Sequence, residues 1–179
     1  MDENFDWKFR LAAFGFVLFL LGMVYLNVRE YPVYSNTIGV RGLVVGSVLV
    51  AAALAAGLIF ALRDRLLPAR KHWPELVFIV FPMLFFAPLF GSWLNRAGGK
   101  VENLPFEFMS EQAFVASGYG LLKGEKIKPS GYRLTVREGD KLLTFKYKQQ
   151  AYFPITKMGE TVLLPVRTGI FGKRVVELK

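Results

Sequence analysis

The residues of this chain that could do chemistry are few and far apart. One histidine, His72, stands between Lys71 and Trp73, and there is no cysteine. Zinc sites draw on three or four Cys, His or carboxylate ligands, so no metal site is expected. A hydrolytic triad would need His72 beside a serine and a carboxylate, and nothing in its surroundings suggests one. Ser117 and Ser130 lie near several lysines, but no motif pairs either with a lysine as base. Glu138 and Asp140 flank a glycine, in a turn rather than a cleft. The stretch GYGLLKG, 118 to 124, spaces its glycines but lacks the GK[ST] element of a phosphate-binding loop. No catalytic residue and no cofactor is therefore expected.

Cations are the chemical groups in surplus. The sequence holds 23 Lys and Arg against 14 Asp and Glu. Four of the cations, Arg133, Arg137, Lys146 and Lys148, belong to one alternating stretch, and Lys123, Lys126 and Lys128 precede it. Together they form a candidate surface for an anionic partner, whether lipid headgroup, acidic protein or phosphate-bearing ligand. A second group, Arg63, Arg65, Arg70 and Lys71, crowds into the gap between two apolar runs.

Those runs are the elements that position everything else. Uncharged stretches of 18, 21 and 20 residues lie between Arg10 and Arg29, Arg41 and Arg63, and Glu75 and Arg96. At 1.5 Å per helical residue, about 20 residues cross a hydrocarbon core of ~30 Å. The spacing predicts three transmembrane helices over 11–28, 42–62 and 76–95. The second could begin earlier, with Asn36 or Thr37 as its cap. The first exceeds a signal-peptide apolar region and is followed by no A-x-A site, so it is expected to be retained. Pro82 and Pro88 would kink the third helix without ending it; the alternative is a re-entrant hairpin over 76–95, which would return the C-terminal domain to the cytoplasm. Gly42, Gly46, Ser47, Ala51, Ala53, Ala55 and Gly57 line the second helix with small side chains, which let backbones approach in lipid. They are the expected helix-packing residues, within the chain or toward a second subunit.

Short loops rich in Lys and Arg stay in the cytoplasm. The cluster at 63–71 therefore sets the topology: N-terminus cytoplasmic, C-terminal domain periplasmic or extracellular, in a bacterial inner (plasma) membrane. Trp7 and Trp73 would mark one interface, and Tyr25, Tyr31, Tyr34 and Trp93 the other.

Residues 1–96 form the expected membrane domain, and 97–179 a soluble β domain. In the latter the pattern changes to period two. With Gly139-Asp140 as a type II′ turn, GYRLTVREGDKLLTFKYK folds into a hairpin. It pairs Tyr132 with Tyr147, Leu134 with Phe145 and Val136 with Leu143 on one face. Thr135 then meets Thr144, and Arg133 meets Lys146, on the other. Further strands are expected at 113–120, 151–156, 161–167 and 173–179. Pro165 suggests an edge or a bulge, and Ser110 could cap a short helical turn within 105–114. The fold class is a three-helix membrane bundle followed by a small antiparallel barrel or sandwich of five to six strands.

These features point to a non-catalytic integral membrane subunit or anchor. The alternative is an oligomeric membrane effector or channel-like assembly whose β domain senses a ligand or partner. The expected partners are the lipid bilayer, further copies or other membrane subunits, and an anionic lipid or acidic protein at the β domain. An outward-facing domain makes nucleic acid an unfitting partner.

Overall fold

A computed structural model describes residues 7–66, 73–115, 129–148 and 150–178. Helix α1 covers Trp7–Ser35, strand β1 Thr37–Ile38, helix α2 Val40–Leu66 and helix α3 Trp73–Ala97. Five strands follow: β2 Val101–Phe114, β3 Gly131–Glu138, β4 Lys141–Tyr147, β5 Thr161–Thr168 and β6 Arg174–Val176. Three segments, Arg10–Ser35, Val40–Ala61 and Leu76–Ala97, are long and apolar enough to cross a bilayer. Their exposed large side chains are mostly Phe, Leu, Val and Ile, as suits helices facing lipid. This is the architecture of an integral membrane protein with a β domain.

The chain divides into two compact units. One is residues 1–31 with 41–93; the other is 32–40 with 94–179. The first boundary falls at Pro32 inside α1, where a proline withholds one helical hydrogen bond.

In the helical unit, α3 contributes most to the interior through Phe86, Ala87, Leu89 and Ser92. Pro82 and Pro88 lie inside it without breaking it. Met23 of α1 packs with Phe86 and Leu89, flanked by Leu20 and Leu26. Helix α2 turns Leu43, Ala51 and Ala55 inward. A Cβ at Gly91 of α3 would run into the Ser47 side chain, so these two helices meet at a glycine. The structure also carries α1 past Val28, through Arg29 and Glu30, to Ser35. Glu30 is buried and accepts a 2.6 Å hydrogen bond from the Ser92 hydroxyl.

The β unit is a nearly closed six-stranded barrel of order β1-β6-β5-β2-β3-β4. Phe106, Phe108, Leu134, Val136, Phe145, Val162, Leu164, Val166 and Val176 fill it. The β3–β4 hairpin has the predicted register throughout, Tyr132 opposite Tyr147 and Val136 opposite Leu143. Gly139 supplies the positive φ, +56°, of its turn.

Four expectations need correction. Residues 105–114 hold no helical turn but lie in β2, the longest strand, paired on both sides. Its register shifts between Phe108 and Ser110, a bulge at Met109 that breaks the alternation. Residues 151–156 are turns rather than a strand, because the amides of Tyr152 and Phe153 donate to the Glu111 carboxylate at 2.9 and 3.0 Å instead of joining a ladder. Pro165 sits in an interior strand, between β2 and β6. A residue's N–H and C=O face the same neighbour in an antiparallel pair, and Pro165 turns its carbonyl to the Glu177 amide, one residue past the end of β6. The missing donor thus falls where the ladder has already stopped. Asn36 and Thr37 do not cap α2, which begins after Gly39 (φ +78°). The predicted strand at 113–120 enters β2 at Ala113 and Phe114 and lies otherwise mostly outside the described residues.

Asn36 has a different task. Its carbonyl accepts from the Val176 amide of β6 at 2.9 Å. Its side-chain amide donates to the Lys146 carbonyl of β4 and accepts from the Lys146 N–H, both at 2.8 Å. One residue thus bridges the two ends of the sheet, its amide standing in for a strand backbone. Leaving a buried backbone donor or acceptor unpaired costs about 1–3 kcal/mol. The Asn36→Ala variant should lose stability in that range. Asn36→Asp should also lose stability, because it keeps the acceptor but sets an oxygen against the Lys146 carbonyl. Thermal unfolding and hydrogen exchange at the Lys146 amide would measure both, and unchanged protection at Lys146 would refute the bridge.

Candidate functional surface

The outer face of β3 and β4 carries the cations predicted to share a surface. Arg133 lies opposite Lys146 and Thr135 opposite Thr144. Arg133, Lys146 and Lys148 are exposed. The face continues onto β2, where Gln112 pairs with Arg133 and Ser110 with Thr135. Arg137 differs from the others in facing Glu107 of β2, with a 3.5 Å ion pair. A half-exposed pair contributes at most a fraction of a kcal/mol, but Glu107 offsets the Arg137 charge there. Lys123, Lys126 and Lys128 lie outside the described residues. What remains is a compact patch of Arg133, Lys146 and Lys148 on a polar background of Thr, Ser and Gln. Such a patch attracts anions over a Debye length and offers Arg133 as a planar, two-pronged donor for carboxylate or phosphate.

The reason this face is free to be basic is that the other face is committed. Leu134, Val136 and Phe145 point inward, and a one-residue slip would expose them. The hairpin therefore holds its cations outward by the same alternation that fills the core.

Two polar devices hold the patch in place, and neither was visible in the sequence. Glu111, beyond the Met109 bulge, pairs with the inward residue Leu134. Its carboxylate accepts the Tyr147 hydroxyl together with the Tyr152 and Phe153 amides. This draws the chain after β4 across one end of the barrel, where Phe153 meets Phe108 and the core. Burial first, then the Glu111 carboxylate, raises the Tyr147 phenol above its ordinary 10.0, so it remains a donor. The second device is a two-pronged pair: Arg174 Nη1 and Nη2 donate to Glu138 Oε1 and Oε2 at 2.6 and 2.7 Å. It joins β6 to the end of β3. Because β1 stops at Ile38, opposite Arg174, the pair spans the same seam that Asn36 bridges.

The helix-packing residues separate into two sets. Ala51 and Ala55 are buried, and Ser47 is half-buried against Gly91. Gly42, Ala53 and Gly57 are exposed, and a Cβ added at Gly46 or Gly57 would meet nothing within 4 Å. Of the topology residues, Arg63 and Arg65 fall near the end of α2; Arg70, Lys71 and His72 lie outside the described residues. Among the described residues, no three His, Asp or Glu gather as a metal-binding group would.

No model of a known family, no curated protein and no solved structure matches the chain.

The Arg174 guanidinium holds the Glu138 carboxyl below its ordinary 4.5, chiefly through the hydrogen bond. A carboxylate with a lowered pKa stabilises the fold above its unfolded value, and that contribution fades as pH falls through the folded value. The barrel should therefore lose stability below about pH 4.5, and Glu138→Gln should remove part of that dependence while weakening the seam at neutral pH. Unfolding midpoints from pH 3 to 7 would check it; parallel profiles for the two proteins would refute it.

Proposed function

We propose that the protein is a non-catalytic membrane subunit or anchor that presents a small basic β domain, on the outer face of a plasma membrane, to an acidic partner. The observation that carries this reading is the outward cation patch of Arg133, Lys146 and Lys148 on a barrel built partly from the connection between two apolar helices. That connection supplies β1, which shares a sheet with the strands after α3. The α1–α2 connection and the C-terminal strands thus lie on one side of the bilayer. The cation-rich 63–71 segment then belongs to the other side, where clustered Lys and Arg favour the cytoplasm.

The chain has no cysteine, so a Met158→Cys substitution gives one reporter on an exposed side chain. Added to intact cells, an impermeant maleimide should label it. The same variant, purified in mild detergent, should bind polyglutamate in a salt-sensitive way. Reversing Arg133 and Lys146 together to Glu should weaken that binding about tenfold, from several exposed charge interactions of up to about 1 kcal/mol each. Labelling that requires lysis would overturn the orientation, and unchanged polyglutamate binding would overturn the role of the patch.

A second reading, a homo-oligomeric effector, is favoured by one observation. The small residues Gly42, Gly46, Ala53 and Gly57 recur at spacings of four and seven on a face that is exposed at Gly42, Ala53 and Gly57, and where the described residues leave open space beside Gly46 and Gly57. In lipid such a row lets a second helix approach closely. On this reading Gly46→Leu should leave the unfolding of one chain unchanged, since its site is open, and should lower the mass in mild detergent. An unaltered mass by light scattering would remove the oligomer reading.

A further inference from the structure

The turn between β5 and β6 is held by several hydrogen bonds, and it shows two large apolar side chains. Asn95, fully buried near the end of α3, grips it at three points. The Asn95 carbonyl accepts from the Ile170 amide at 2.9 Å. Its side-chain oxygen accepts from the Phe171 amide at 3.1 Å, and its side-chain nitrogen donates to the Lys173 carbonyl at 3.0 Å. The turn closes on itself through Gly169 N–H to Lys173 and Gly172 N–H to Gly169, both 2.9 Å. Gly169 is required there, because a Cβ would strike Asn95. All this anchoring leaves Ile170 62% and Phe171 53% exposed.

The level of that exposure along α3 is what matters. Asn95 is the last uncharged residue before Arg96, at the end of a 20-residue run that begins after Glu75. Such a run is about the width of the hydrocarbon core, so Asn95 stands where acyl chains give way to headgroups. The amides of Ile170 and Phe171 are within hydrogen-bonding distance of it. An Ile-Phe pair fixed at that depth meets lipid rather than water, and an aromatic ring is well suited to the interface.

We propose that the 169–172 turn is a lipid anchor, with Ile170 and Phe171 inserted at the acyl edge of the leaflet beside α3. The occupant of this apolar patch is the bilayer itself. The anchor adds a contact by which the β domain bears on the membrane surface, besides the chain connections through α1, α2 and α3.

The absence of cysteine again makes the test direct. Full-length protein carrying Ile170→Cys or Phe171→Cys, labelled with the dye NBD, is placed in phosphatidylcholine nanodiscs containing doxyl lipids. The reference is Met158→Cys, which precedes β5 while the turn follows it, so eight strand residues of about 3.3 Å each separate the two sites. Dyes at 170 and 171 should emit to the blue of the dye at 158. They should be quenched at least twofold by doxyl near the headgroup, and less by doxyl at the chain end. Quenching at 171 no greater than at 158 would overturn the proposal. So would a blue shift without quenching, which would mean that protein covers the turn. If one labelled variant fails to purify as folded protein, the other decides the matter by the same criteria.

Discussion

An asparagine side chain closes the barrel, and much else follows from that. A β sheet ends in rows of unpaired N–H and C=O groups, and those groups must find partners. Among the described residues the strands after α3 number five, and the sixth is only two residues long. Thr37–Ile38 cover part of the β6 edge, and Asn36 reaches on to Lys146 of β4 with both atoms of its amide. The Glu138–Arg174 pair spans the seam a second time. The barrel is therefore not made of the C-terminal chain alone: its closing piece comes from between the first two helices. Any force on that connection is felt at the seam.

Much of the fold was legible because two simple periodicities carry it. Uncharged runs of bilayer width rarely arise except in helices that cross a membrane, and all three became helices of spanning length. The β3–β4 register was readable because apolar residues alternate between Gly131 and Tyr147 around one Gly-Asp turn, with the outward Leu142 as the one exception. Where local pattern misled, a local rule had been outvoted by a distant partner. The Met109 bulge broke the alternation in β2, so a strand looked like a turn. Residues 151–156 have strand composition, but Glu111, some forty positions earlier, takes their amides. Pro165 was consistent with its interior place only because β6 stops one residue short of it. No pattern of single residues announces such pairings.

The candidate surface was readable to a similar degree, and for the same reason. Alternation tells which residues share a face, so Arg133 and Lys146 were paired correctly. It does not tell what sits on the next strand, and Glu107 beside Arg137 came from β2. The small-residue row of α2 behaves alike. Spacing of four identifies faces of a helix; it does not say which one turns inward. Leu43, Ser47, Ala51 and Ala55 meet the interior, and the GxxxG of Gly42 and Gly46 does not. Where α2 meets α3, the small residues in contact are Ser47 and Gly91, and small residues are needed only on the side that is touched.

The length of α1 explains how a membrane helix can end inside a sheet. From Arg10 to Arg29 the helix is already long enough to span a hydrocarbon core, yet it continues to Ser35, about 9 Å further at 1.5 Å per residue. Irregular backbone is not tolerated against lipid, where its polar groups would go unpaired. Six extra residues carry the helix on to the Asn36, Thr37 and Ile38 segment before the chain turns back at Gly39. The exit is prepared by the helix itself: the Val33 carbonyl receives both the Asn36 amide at 3.1 Å and the Thr37 hydroxyl at 2.7 Å. With its last turn satisfied locally, the helix frees the Asn36 side chain and carbonyl for the sheet.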